Sequence, residues 1–379
     1  MLIGIDAARV NREQKTGVEF YAFFLIQEMK KLGNEEMKKL GVRFVLYSDK
    51  PLQGELAQLP TNWESRVLKW PPRRLWTQVR LSWEMLVHPP DILFIPAHVP
   101  PLIHPKKTVM MVHDIAAVKF PESYTWFQRL YSIWSARYAV KHLWKIIVPT
   151  QFVKEELKSE VRSQKSERIF VVPHGYDPRY QKIDDQAAID SVLTRYNIRK
   201  PFILSVGRWE TKKNTARIIQ AFDQISLQPT AYSLQLVLVG KPGYGYEAVK
   251  RAYEVSPAKD RILMPGYVDP QDLACIMNAA DAFVFPSLYE GFGLPVLEAL
   301  ACGTPVVAGK GSSLEEVGGE ACVYVDPLDV DDIARGIIVV MQNLELRMQN
   351  VERGLERVKN FSWEKCAKET MDVLLGEGS

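Results

Sequence analysis

The segment from Ala282 to Gly303 limits the fold more than any other part of the chain. An apolar run, Ala282-Phe283-Val284-Phe285, is closed by Pro286-Ser287, the pattern of a short buried strand. A loop with Gly291 and Gly293 follows. A helix is expected to open near Leu294-Pro295 and to stop at Gly303, because proline suits a first turn and glycine the position past a last one. Strand, glycine loop and helix start together make an anion site: free first-turn amides point outward, and the helix dipole adds partial positive charge.

Two carboxylates bracket that site. Glu290 falls in the loop and Glu298 in the helix. A carboxylate can accept two hydrogen bonds from a vicinal diol, so each Glu suits a sugar or ribose ring. Either alone reads first as a solvated side chain, but the pair bracketing a glycine-rich helix start reads first as a site. Phosphate at the amides with a diol at each end describes a sugar nucleotide.

Glu290-x7-Glu298, set in Pro-Ser-Leu-Tyr-Glu-Gly-Phe-Gly-Leu-Pro-Val-Leu-Glu-Ala, resembles the E-x7-E signature of the retaining glycosyltransferases of the GT4 family. The resemblance implies an α/β chain of the GT-B fold, two Rossmann-like doubly wound parallel-sheet domains facing across a cleft. It implies that Glu290 grips sugar hydroxyls, that Glu298 holds the ribose, and that the amides near Phe292, Gly293 and Leu294 meet the diphosphate.

A length of 379 residues suits two domains. The expected division is an acceptor-side domain at 1–177, a sugar-nucleotide domain at 178–360, and a helix at 361–379 that returns to the first domain. Charge is unevenly spread: residues 1–180 hold 27 Lys and Arg against 18 Asp and Glu. A basic first half hints at an anionic surface, lipid or phosphate, although ordinary surface variation reads as well. Cys275, Cys302, Cys322 and Cys366 lack metal-ligand or paired spacing, so reduced and mostly buried thiols are expected. The start, Met1-Leu2-Ile3-Gly4-Ile5-Asp6, is too soon charged for a signal peptide, and no apolar run reaches the ~20 residues of a spanning helix. A cytoplasmic protein, peripheral at the inner membrane face, is the expectation.

In the first half, Leu2–Asp6 and Arg43–Tyr47 read as strands around a helix from Val18 to Leu32. That order begins a doubly wound sheet, whose ligands sit beyond the carboxyl ends of the strands. The resemblance carries a diphosphate-approaching glycine to Gly17, although the usual glycine pair is reduced here to Thr16-Gly17. Residues 51–106 are rich in Pro, Trp and Arg, including Arg73 and Arg74, and only Ile92–Ile95 among them reads as a strand. His98 and His104 lack a convincing metal partner. Lys106–Val112 reads as a strand ending in His113-Asp114. From position alone, His113 is either a cleft residue or a structural histidine donating to a backbone carbonyl. The family motif at this junction implies a place beside the donor sugar. From Ser123 to Lys145 a helical stretch is dense in aromatics and bases. It is either a core helix with its aromatics inward or a face for anionic lipid or a lipid-linked acceptor. Pro173-His174-Gly175-Tyr176-Asp177 resembles the family's Pro-Asn-Gly-x-Asp turn, with His174 in place of Asn.

In the second half, the strand Phe202–Gly207 runs into Arg208 and Lys213, and a helix follows from Thr215 to Ile225. Arg offers a bidentate fork and Lys a point charge, well placed at a strand end to hold a diphosphate. The segment looks like the family's Gly-Arg-x-x-x-x-Lys-Asn, which implies that Arg208 and Lys213 steady the leaving diphosphate. By the same resemblance Tyr267 and Val268 lie near the nucleotide base. Asp329-x-Asp331 resembles a metal-binding motif of another fold, but it precedes a helix and reads as a cap.

No cofactor and no metal are expected, with catalytic parts for His113, Arg208, Lys213 and Glu290. The expected reaction is retaining transfer of a hexose, first mannose from GDP-mannose, to a glycan or lipid-linked saccharide in surface-polysaccharide synthesis. A UDP-hexose donor is the close alternative. A UDP-sugar epimerase and a catalytically silent binding subunit are the more distant ones. Nothing points to nucleic acid.

Overall fold

A computed structural model describes residues 1–12, 17–32, 36–70, 75–97, 99–161, 166–228 and 233–376. Thr16, Arg73, Arg74 and His98 lie outside the described residues. The chain divides into two compact units, Met1–Gly175 with Phe361–Ser379, and Tyr176–Asn360.

The strands of the first unit are β1 (Leu2–Asp6), β2 (Arg43–Ser48), β3 (Trp63–Val67), β4 (Ile92–Ile95), β5 (Thr108–Met111), β6 (Lys145–Val148) and β7 (Ile169–Val171). They pair in parallel in the order β3-β2-β1-β4-β5-β6-β7. Ile3, Ile5, Phe44, Leu46 and Phe94 form a core with Tyr21, Leu25 and Ile26 of the Gly17–Leu32 helix. The second unit has β8 (Phe202–Val206), β9 (Gln235–Val239), β10 (Ile262–Gly266), β11 (Ala282–Phe285), β12 (Val306–Gly309) and β13 (Cys322–Val325). These are also parallel, ordered β10-β9-β8-β11-β12-β13. Both sheets wind outward in two directions from their first strand, so each has a switch point beside it, between β1 and β4 and between β8 and β11.

β3 departs from the sequence expectation. Trp-Glu-Ser-Arg-Val carries no apolar run because it is an edge strand with two exposed residues. It is held by Trp63 stacking on Phe44 at 4.2 Å and by Arg66 pairing with buried Glu84 at 3.0 Å. The aromatic helix is also shorter than expected, Trp126–His142. Thr125 caps it by accepting from the Gln128 amide at 3.3 Å, while the Gln128 side chain accepts from the Thr125 amide at 3.1 Å. Lys145 belongs instead to β6, where its Nζ donates to the Val373 carbonyl at 3.0 Å. The inward reading of the aromatics is overturned. Small residues, Ser135, Ala136 and Ala139, face the core, while Trp126 is 74% and Phe127 57% exposed. Alanine and serine let the helix approach the sheet closely, and the large rings are left outside.

The helix Trp363–Leu375 is part of the first unit's core. Ser362 caps it by accepting from the Lys365 amide. Trp363 is buried and stacks on Phe24 at 5.4 Å and 14°. A Cβ on Gly175 would stand 2.3 Å from the Trp363 nitrogen, so the two backbones meet where only glycine fits. Replacing Trp363 by Ala should lower the unfolding free energy by about 3–5 kcal/mol, the usual cost of a deleted buried aromatic. Urea denaturation checks this, and an unchanged midpoint would show that the indole is not holding the helix in place.

Candidate functional site

The second unit concentrates its chemistry at the switch point. β8 ends at Val206 and its loop runs through Arg208 to Asn214, where the helix Thr215–Ser226 begins. β11 ends at Phe285 and its loop leads to the helix Leu294–Ala301. The two loops are stitched together. The Leu288 amide donates to the Lys212 carbonyl at 2.9 Å. Asn214 is buried in a left-handed conformation, φ 62°, and its Nδ2 donates to the Pro286 carbonyl at 3.0 Å and the Pro327 carbonyl at 2.5 Å. One amide side chain thus fixes the end of the β8 loop to the start of the β11 loop.

That stitching brings Lys213 and Glu290 into contact, Nζ to Oε1 at 2.5 Å, with side chains 19% and 10% exposed. Lys213 Nζ also lies 5.0 Å from the Phe285 ring centroid. The Ser287 hydroxyl has one proton and several acceptors in reach. The Glu290 carboxylate, at 2.6 Å, is the nearest and the charged one. The Glu290 carbonyl accepts from Ser313 Oγ at 2.8 Å. Losing one member of such a pair strands the other charge in a poorly solvated place, at a cost of about 3–5 kcal/mol when burial is complete.

Gly293 caps the Leu294–Ala301 helix with φ +99°, and a Cβ there would stand 2.3 Å from Leu314 Cδ2. The left-handed backbone demands glycine, and a side chain there would also have to displace the Leu314 methyl. Val296 and Leu297 are the first to bond back, to the Gly293 carbonyl, so the amide of Leu294 has no partner within the helix. Phe292 is buried beside it.

Glu298 sits on the same helix, half-buried, in a different setting. Its carboxyl is pushed up to about 8 by burial and then by the Asp177 carboxylate, with Arg179 opposing. Arg179 Nε reaches both Asp177 oxygens, at 3.0 and 2.9 Å. Burial raises the Tyr180 phenol as well, and the nearby Glu298 adds to it.

The remaining expected residues are placed as follows. Arg208 is exposed, and no ion pair forms on it among the described residues. Tyr267, at the end of β10, is exposed beneath Lys241 Nζ at 4.8 Å, and Val268 is buried. In the first unit Gly17 opens its helix, with nothing within 4 Å of where a Cβ would stand. His113, just past β5, is buried: Nε2 lies 3.0 Å from the Pro96 carbonyl and Nδ1 3.4 Å from His174 Nε2. Nε2–H donating to Pro96 leaves Nδ1 to accept from His174. That is the backbone-carbonyl partner of a structural histidine. Burial holds the His174 ring well below the usual histidine range, and the neighbouring His113 adds to the effect. Asp329 acts as a cap, its carboxylate accepting from the Asp331 amide at 2.9 Å. Sequence reasoning assigned no part to Asn214, Ser287 or the Asp177–Arg179 pair. Asn214 and Ser287 do lie inside the motifs that were read.

Residues 194–357 match the family model for glycosyl transferases group 1, and residues 16–180 match that for glycosyltransferase family 4. O-antigen chain mannosyltransferase B of Escherichia coli is 37% identical over 183 residues, 48% of this chain and 48% of that protein. The serotype-specific mannosyltransferase WbdA of Escherichia coli is 27% identical over 268 residues, 69% of this chain and 32% of that protein. The chain therefore spans about half, or less, of these curated relatives. Among solved structures, Anabaena Alr3699/HepE in complex with UDP and glucose superposes with a TM-score of 0.73 at 17% identity, covering 99% of each chain. At that identity the likeness shows the fold, GT-B.

Glu298→Gln tests the raised carboxyl. In the folded chain Glu298 keeps its proton up to about pH 8, whereas an unfolded glutamate loses it near pH 4.5. The wild type should therefore lose stability as pH rises through that window. The neutral Gln variant should match it near pH 5 and exceed it at pH 9, by a few degrees in Tm. Parallel Tm curves from pH 5 to 9 would rule the raised carboxyl out.

Proposed function

The chain belongs to the glycosyltransferases of family 4, and on that premise we propose that it moves a hexose from a nucleotide sugar to a glycan or lipid-linked saccharide. Mannose from GDP-mannose is the first choice of donor, and the anomeric configuration is retained. The observation that carries this reading is the Lys213–Glu290 contact at the β8–β11 switch point, beside a glycine-capped helix start. The named mannosyltransferases among the relatives support the hexose.

Breaking a glycosidic phosphate bond builds positive charge at the sugar and negative charge on the diphosphate. In this reading Lys213, Arg208 and the amide of Leu294 take the negative charge, with no part given to a metal ion. Arg208 is already open to solvent. Lys213 must exchange one carboxylate partner for a phosphate, which frees Glu290 to accept from sugar hydroxyls. Glu298, protonated below about pH 8, can donate one hydrogen bond and accept another from the ribose diol. The part proposed for His113 beside the sugar is one of shape, since Nε2–H is committed to Pro96.

A UDP-hexose donor is the second reading, favoured by the solved neighbour that holds UDP and glucose. A thermal-shift panel of GDP-, UDP- and ADP-sugars separates the two: GDP-mannose should raise Tm most, and no shift with any of them would end the transferase reading. Lys213→Ala and Arg208→Ala should each cut turnover by about 10²–10³. Near-normal rates in both would remove them from the leaving group.

We also propose a peripheral contact with anionic membrane at the cytoplasmic face. Among the described residues no helix is long and apolar enough to cross a membrane. Trp126, Phe127 and Leu130 are exposed together with Arg129 and Arg137, a pairing of rings and cations that suits the headgroup layer. Flotation with vesicles should depend on anionic lipid and weaken when Trp126 and Phe127 become Ser. Flotation indifferent to lipid charge would refute it.

A further inference from the structure

The first unit holds a pocket of about 480 Å³ beyond the carboxyl ends of β1 and β2. Its volume falls within the range of small-molecule sites. Three cations line it: Arg9 and Arg12 from the loop after β1, and Lys50 from the loop after β2. Arg9 and Arg12 are exposed, and none of the three forms an ion pair among the described residues. Asp49 is the carboxylate on the same lining, so positive charge prevails there.

The two loops that carry the cations are clamped to each other. Asn11 is buried, and its Nδ2 donates to the carbonyls of Lys50 at 3.2 Å and Pro51 at 2.8 Å. Its Oδ1 accepts from the Gln53 amide at 3.1 Å. Aromatic rings share the lining. Trp76 is fixed by Nε1–H donating to the Leu68 carbonyl at 2.7 Å. Tyr131 accepts a short hydrogen bond from Gln78, and its ring lies parallel to Phe127 at 6.0 Å and 3°.

Two guanidiniums carried on clamped loops, with anchored rings on the same lining, match a ligand that is anionic at one end and has a flat, weakly polar face at the other. Guanidinium forks match the oxygens of a phosphate or carboxylate. Aromatic faces seat the C–H side of a pyranose, leaving its hydroxyls to water. We propose that this pocket binds an acidic saccharide, a sugar carrying phosphate or carboxylate, with Arg9 and Arg12 on the anion and Trp76 and Tyr131 under the ring. This rests on the transferase reading only in naming the ligand an acceptor; the binding itself stands apart from it.

The test is calorimetric titration of the full chain with glucose 1-phosphate, with GDP and UDP present to occupy a donor site. Saturable binding is expected, tighter than for either glucose or inorganic phosphate. Arg9→Ala with Arg12→Ala should weaken it at least about tenfold, with Arg9→Lys and Arg12→Lys intermediate and nucleotide binding unchanged in both. Unchanged affinity in the alanine variant overturns the proposal, as does equal affinity for glucose 1-phosphate and inorganic phosphate, which would leave the rings without a part. If the variant loses phosphatidic acid vesicles but keeps glucose 1-phosphate, the cations serve a lipid headgroup and the saccharide site is refuted. A chain that binds glucose 1-phosphate through Arg9 and Arg12 but no nucleotide sugar would keep this site and lose the transferase.

Discussion

A parallel sheet that winds in two directions from one strand has a place where neighbouring loops part, because the helices after β8 and β11 lie on opposite faces. One backbone hydrogen bond, from the Leu288 amide to the Lys212 carbonyl, spans that gap. The second unit fills it with side chains: Asn214 bridges the loops, and Lys213 and Glu290 meet across them. The arrangement is as much electrostatic as steric. Two opposite charges are largely withdrawn from water, and each becomes a problem if the other leaves.

Such a pair is poised. Its attraction roughly offsets the cost of taking both ions out of water. An arriving ligand can therefore replace the contact at small net cost if it supplies an anion for the lysine and hydrogen-bond donors for the glutamate. A sugar diphosphate has both, a phosphate and ring hydroxyls a few bonds apart. Ser287, at 2.6 Å from the Glu290 oxygen, keeps the carboxylate aimed whichever partner it holds. Glu298 is governed by a different balance: it shares its surroundings with Asp177, and burial outweighs the help of Arg179. Glu298 therefore keeps its proton up to about pH 8.

Much of this was legible in the residues, for local reasons. Ala282–Phe285 is a fully buried strand, so its apolar run is uninterrupted. Pro295 and Gly293 mark the helix start because no other residues satisfy those backbone positions so well. What stayed hidden depends on distant partners. β3 carries Glu64 and Arg66 because it is an edge, and its identity comes from Trp63 meeting Phe44. The facing of the Trp126–His142 helix was decided by Ser135, Ala136 and Ala139, which pattern reasoning passed over in favour of the larger rings. Glu298 owes its raised carboxyl first to burial and then to Asp177, far upstream. The bond from His113 to Pro96 links two loops whose meeting no spacing announces.

The close approach of Gly175 to Trp363 has an architectural corollary. The chain departs from the first unit at Gly175 and rejoins it at Phe361, and those two points are already neighbours. Topologically the second unit is a cassette inserted at a single seam. Excising residues 176–360 would leave ends that a very short bridge could rejoin, with the Trp363–Leu375 helix still seated on its own core.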